Sequence, residues 1–211
     1  MRNVVTTLSI DELRAIHQET TTDENVAPIQ VSAIGNTDIL RMKKLALFCS
    51  IKCPGSIILQ TYDCMKALRA AGVTLIGGFH SPMEKECLNI LLRGTQPVII
   101  CPGRSLQGMS IKPEYEKLIK EGRLLFLSPF PGKDRRISAE RADVRNSFVA
   151  ALADAVFIAH AQPKSKTERL FYELEAAQRP VFVLASEFNG GLITAGAKAV
   201  TGGDIAGKMR R

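Results

Sequence analysis

The chain has 211 residues, 45% hydrophobic and 23% charged, with no Trp and only 16 Gly and 10 Pro, which excludes a disordered, low-complexity or collagen-like protein and allows one sizeable α/β core. Lys and Arg outnumber Asp and Glu by 28 to 21, but residues 1–40 hold two basic residues (Arg2, Arg14) against six acids, a balance of −4, which leaves the body 26 against 15, or +11. A body this basic favours an anionic partner such as nucleic acid, a nucleotide or phosphate.

Residues 1–27 read as an N-terminal extension, partly ordered, in which Ser9 caps a short helix through Glu12 before the polar, turn-prone ETTTDEN. Residues 28–211 form the domain. PIQVSAIGN is a short apolar run ended by Gly35-Asn36, and KKLALFCS is a strong strand. A helix over 56–71 carries Ile58, Tyr62, Met65 and Leu68 on one stripe and stops at Gly72; VTLIGG follows as a strand. SPMEKECLNILLRG is a helix with Ser81 as cap and Pro82 in its first turn. QPVIICPG, RLLFLSPFPG, DAVFIAHA and RPVFVLAS are strands, separated by helices in KPEYEKLIKEG, SAERADVRNSFVAALA and SKTERLFYELEAAQ. Strands separated by 10–15-residue helices predict an α/β fold: a Rossmann-like, doubly wound, mostly parallel sheet with helices on both faces.

In such a sheet, ligands bind outside the carboxyl ends of the strands. That rule selects CSIKCPGS, GGFHS, CPGRSLQG, SPFPGKDRR, HAQPKSK and ASEFNGG. Gly55, Gly77, Gly78 and Gly103 suit close backbone approach, Ser50 and Ser165 offer hydroxyls, and Lys52, Arg104, Lys133, Arg135, Arg136, Lys164 and Lys166 offer cations for phosphate. Arg145-Asn146-Ser147 interrupts an amphipathic helix, where Asn is a poor helix former. Arg145 is either a solvent-facing helical side chain or a phosphate ligand, and the second reading predicts that Arg145→Ala weakens nucleic-acid binding at nearly unchanged melting temperature.

No GxGxxG or GxxxxGK[ST] is present, and His17, His80 and His160 join no nucleophile pattern, so no catalytic residue and no cofactor are expected. Cys49, Cys53, Cys64, Cys87 and Cys101 include no CxxC pair and no zinc spacing; they read as reduced thiols in or near the core of a cytoplasmic protein, with no metal. No segment approaches the roughly 20 apolar residues that span a bilayer, so no membrane partner is expected.

In order, IGNTDIL with KKLALFCS, AAGVTLIGG, QPVIICPG, VRNSFVAALADAVFIAHA, PKSK, RPVFVLAS and GGLITAGAKAVTGGDI resemble the Rossmann-like domain of the DNA-processing protein A (DprA, or Smf) family, from about Ile34 to Ile205. The most specific pieces are Arg145-Asn146 before the ALADAVFIAHA strand and the terminal pattern of Leu192, Ile193, Gly196, Ala197, Val200, Asp204 and Ile205. The resemblance implies a bacterial, cytosolic, dimeric protein that holds single-stranded DNA in a basic pocket and helps load a RecA-type recombinase during natural transformation. The family's Gly-Ser-Arg turn falls on Cys49-Ser50-Ile51, keeping only Ser50, with Lys52 one place late. Its second-strand turn falls on Gly77-Gly78 with Phe79 and His80, and Glu84 lies near its Asp. Arg145 and Asn146 match directly. Ser165 matches the Ser of a later Ser-Gly turn, with Lys166 for Gly. The chain is expected to be a divergent, single-domain member without a winged-helix segment. The alternative is a nucleotide-derivative-binding or phosphoribohydrolase-like protein of the same superfamily; the hydrolases' PGGxGTxxE loop corresponds to AQPKSKTERLFYE, whose lack of glycines speaks against hydrolysis.

Overall fold

The computed structural model describes residues 4–9, 11–13, 30–132, 136 and 138–210. The ETTTDEN stretch, Lys133 and Arg135 lie outside them. The strands are β1 (Thr6–Ser9), β2 (Gln30–Gly35), β3 (Lys44–Cys49), β4 (Thr74–Gly77), β5 (Val98–Ile100), β6 (Leu124–Ser128), β7 (Ala155–His160), β8 (Val181–Leu184) and β9 (Lys198–Val200). The helices are α1 (Gly55–Ala70), α2 (Pro82–Leu91), α3 (Pro113–Lys120), α4 (Ala139–Leu152), α5 (Lys166–Ala176), α6 (Gly190–Thr194) and α7 (Gly202–Arg210).

The strands form one sheet in the order β1-β2-β6-β5-β4-β3-β7-β8-β9. From β6 to β9 neighbouring strands run parallel, while β1 and β2 add an antiparallel edge. Sequence order departs from β3 in both directions, toward β4 and, later, toward β7, so the topological switch point lies between β3 and β7.

Alternate side chains explain the two-sided core. Leu45, Leu47 and Cys49 of β3 face a layer that holds Met65 and Leu68 of α1, Leu88 and Leu91 of α2, Leu118 of α3 and Ile205 of α7. Ala46 and Phe48 face Phe148, Val149 and Leu152 of α4, Phe171 of α5 and Leu192 of α6. The central strands are buried on both faces, which is why they read as continuous apolar runs.

The capping signals in the sequence are used. Ser81 accepts from Glu84 N and the Glu84 carboxylate returns to the cap backbone, a complete capping box. Ser138 and Ser165 cap α4 and α5 by accepting from Arg141 N and Glu168 N. Ser9 and Glu12 bond reciprocally, as the sequence expects. The strand that ends at Ser9, β1, is unannounced by the sequence: it pairs Thr6–Ser9 against Gln30–Ala33. At the amino end of the sheet Lys44 is buried, its ammonium donating to the carbonyls of Leu40 and Met42 and lying 3.5 Å from Asp154. Burial lowers its pKa and Asp154 opposes that shift. This lysine is a structural clamp, remote in the strand direction from the ligand end.

Candidate nucleic-acid interface

The carboxyl ends of β3 and β7 are tied together at the switch point. Ser50 N donates to His160 O at 2.9 Å, Gln162 N donates to Ser50 Oγ at 2.9 Å, and the hydroxyls of Ser50 and Ser165 meet at 3.1 Å. Both serines match the family turns in the sequence, and the fold brings them together from positions 115 residues apart. Ser50 is buried; Ser165, less so, opens onto solvent as the cap of α5.

The ends of β3, β4 and β5 are joined by one acid and one base. Glu84, on α2, accepts from Cys49 N at 2.9 Å, His80 N at 2.8 Å and Ser81 N at 3.2 Å, so a single carboxylate fixes the end of β3 to the turn after β4. Arg145, on α4, donates from Nη1 to Cys101 O at 3.2 Å and from Nε to Asn146 Oδ1 at 2.8 Å. Its side chain lies against Gly78, where a β-carbon would overlap the guanidinium. Arg145 is 6% exposed. It is therefore neither a solvent-facing helical residue nor an open phosphate ligand in this conformation: it braces the floor of the cleft, and the atom group approaching Gly78 is this guanidinium. Burial lowers its pKa, and Glu84 pushes back.

Gly77 is likewise occupied from within, packed against the Phe79 ring. Gly55 and Gly103 have open space where a β-carbon would project, so backbone approach is available at the start of α1 and in the loop after β5. Phe79 and Lys164 both hold a left-handed backbone, φ 48° and 62°, in the turns after β4 and β7. Non-glycine residues in that region cost energy and concentrate at functional turns.

Around this floor the predicted cations divide into two groups. Lys52 and Lys164 are exposed and Arg104 partly so, and none of the three has an ion pair among the described residues. Lys166 is instead held by Asp143, at 2.7 Å, and by Ala139 O, at 2.9 Å. Arg169, which the sequence reading did not select, reaches the same Asp143 oxygen at 3.0 Å. Burial alone would raise the Asp143 carboxyl, but its bonds from Lys166 and Arg169 hold it below the ordinary value. Arg136 is exposed and its carbonyl accepts from Arg141. Lys164, Ser165, Lys166, Glu168, Arg169 and Tyr172 line a pocket of about 320 Å³. Tyr172 is half-exposed, whereas two of the three loop aromatics available to the sequence reading, Phe79 and Phe130, are buried; Phe188 is half-exposed.

His160, buried, meets Asn189 Oδ1 at 3.1 Å, while Asn189 Nδ2 donates to Ala159 O and Leu184 O, so this histidine braces β7 against β8. Among the described residues no cluster of three or more His, Cys, Asp or Glu has metal-holding geometry, and no helix is long and apolar enough to cross a membrane.

The fold is that of a Rossmann-like, doubly wound protein, and its switch point carries hydroxyls, open backbone and cations that have no ion pair among the described residues. Residues 15–207 match the DNA recombination-mediator protein A family, and the chain belongs to it. The fold is similar to that of DNA processing protein A from Streptococcus pneumoniae, with TM-score 0.73 and 19% identity over 94% of this chain and 72% of that one. It is also similar to DNA processing protein A from Helicobacter pylori, a structure described for its single-stranded DNA binding mode, with TM-score 0.75 and 20% identity over 99% and 97% of the two chains. The molybdenum cofactor carrier protein of Chlamydomonas reinhardtii is a more distant likeness, with TM-score 0.54 and 12% identity over 81% of this chain and 97% of that one. No curated protein matches in sequence.

Proposed function

We propose that this chain binds single-stranded DNA across the carboxyl ends of its parallel strands, as a binding protein and not a catalyst. The observation that carries the reading is the Ser50–Ser165 contact at the switch point, flanked by Lys52 and Lys164, neither of which has an ion pair among the described residues. Hydroxyls and free cations beside open backbone at Gly55 are what successive phosphates need. Tyr172, on the wall of the adjacent pocket, presents a π-face on which one base stacks. Family membership supports the choice of DNA over a free nucleotide. The same membership supports transfer of the strand to a RecA-type recombinase, with a homodimer as the working form. Five cysteines without a disulfide are in keeping with a reducing, cytoplasmic setting.

Fluorescence anisotropy with labelled oligo-dT tests this. Lys52→Glu and Lys164→Glu are each expected to weaken binding about tenfold at low salt, since each replaces an attraction by a repulsion. Equal affinity in both variants contradicts the reading. Thermal stabilisation by mononucleotides, with no oligonucleotide binding, would assign the cleft to a small ligand.

A further inference from the structure

Two glutamates stand at the same place in their helices, three residues after a serine cap, and the fold uses them differently. On α2, Glu84 commits both oxygens to the backbone: Oε1 accepts from Cys49 N, and Oε2 from His80 N and Ser81 N. On α5, Glu168 commits only Oε2, which accepts from Lys164 N at 2.6 Å, while Oε1 has no hydrogen bond or ion pair among the described residues. Glu84 is buried; Glu168 is partly exposed and lines the pocket of about 320 Å³ beside Tyr172. That volume lies at the small end of ligand pockets, about 300–1,000 Å³, and suits a single nucleotide.

A carboxylate accepts hydrogen bonds, donates none and repels phosphate. Phosphate binding therefore gives no reason for an acid beside Lys164, Lys166 and Arg169, and the helix cap uses only one of its oxygens.

We propose that this pocket reads an unpaired guanine, whose ring stacks on Tyr172 and whose N1 and N2 hydrogens are accepted by Glu168. The proposal rests on the single-stranded DNA reading and makes that binding base-selective. Tyr172 is 50% exposed, and the buried Phe171 anchors its ring in an edge-to-face contact with centroids 5.2 Å apart. Guanine alone carries two adjacent donors on its Watson–Crick edge. Thymine offers one N3 hydrogen between two carbonyl oxygens, and adenine and cytosine each set a ring-nitrogen acceptor beside the amino group, so each of these three bases brings a lone pair against the carboxylate. Oε1 of Glu168 is open to one guanine donor, and Oε2 keeps a second lone pair beyond the one that Lys164 N occupies. Guanine O6, next to N1, in turn suits a neighbouring cation.

Fluorescence anisotropy on the full-length protein tests this with a short labelled oligo-dT and its copy carrying one central dG, a single guanine being too few for strands to self-associate. The dG strand is expected to bind about five- to tenfold more tightly, the low end for a bidentate pair. A strand with inosine there, which keeps the N1 hydrogen and lacks the N2 amino group, is expected to fall between the two, and dA or dC strands to match oligo-dT. Glu168→Gln sets an amide donor against guanine's donors while keeping an oxygen for Lys164 N, so the preference for the dG strand is expected to vanish. The ratio of the two affinities is the readout, because the lost negative charge, or a purely structural role of Glu168, shifts both strands together. Equal binding of the dG and dT strands by the unmutated protein overturns the proposal, and a preference that survives Glu168→Gln overturns the assignment to Glu168. If neither strand binds, the DNA reading fails; thermal stabilisation by dGMP over dTMP, lost in Glu168→Gln, would then assign the same guanine chemistry to a free nucleotide, and no stabilisation by dGMP overturns the pocket as well.

Discussion

Arg145 carries more structure than its place in the sequence suggests. It stands at spacing i, i+3, i+4 and i+7 with Phe148, Val149 and Leu152, all buried on the same stripe of α4. Its guanidinium crosses the ends of β4 and β5, packed on Gly78 and bonded to Cys101 O. Arg145→Ala therefore leaves the buried Cys101 carbonyl without its donor and opens a hole beside Gly78, at a cost of about 3 kcal/mol. In a chain of this size that lowers Tm by roughly 6–12 °C. Calorimetry checks it, and an unchanged Tm would return Arg145 to the phosphate-ligand reading. The helical stripe was legible in the sequence; the direction of the side chain was hidden by the habit of placing arginine in water.

At the scale of elements, α2 and α4 do the positioning. Glu84 closes the capping box of α2 and also holds Cys49 N at the end of β3, so Ser81→Ala and Glu84→Ala separate the two tasks. Ser81→Ala is expected to cost about 1 kcal/mol, the loss of a helix cap. Glu84→Ala, which strands three backbone donors, is expected to cost about 2–4 kcal/mol; urea melts that rank the two the other way would contradict the geometry.

On α4, Asp143 holds Lys166 and Arg169. Its carboxyl is depressed in the folded state, so its contribution to stability is present above the unfolded value near 3.8 and is lost as pH falls through the lower folded value. At neutral pH the holding persists, and Asp143→Asn is expected to loosen both cations, leaving Arg169 with Glu173 and Lys166 with Ala139 O, and to tighten oligo-dT binding about two- to threefold at low salt. Weaker binding in that variant would mean that the held arrangement is the one that binds.

The elements themselves were largely legible: apolar runs, serine caps and glycine stops delineate β3 through β8. Two parts were not. TTLS is short and half-exposed, and its strand character comes only from pairing with β2. In GGLITAGAKAV, small residues conceal α6 and β9, which only packing against β8 and the core defines.

Across the whole molecule, charge distribution and sheet topology act together. The acidic first 40 residues contrast with a body of +11, and unpaired cations of that body stand in loops at the carboxyl ends of a sheet whose switch point joins Ser50 to Ser165. The sequence could place the cations in loops; it could not reveal that Lys166 is committed to Asp143 while Lys52 and Lys164 are not, because ion pairs between loop and helix depend on tertiary distance.

Titration of oligo-dT across salt concentrations measures how many of these cations meet phosphates. If Lys52, Arg104 and Lys164, with part of the charge of Lys166 and Arg169, neutralise phosphates, the logarithm of the binding constant falls against the logarithm of salt with a slope of about −2 to −3. No binding at low salt, or a slope near zero, would contradict it.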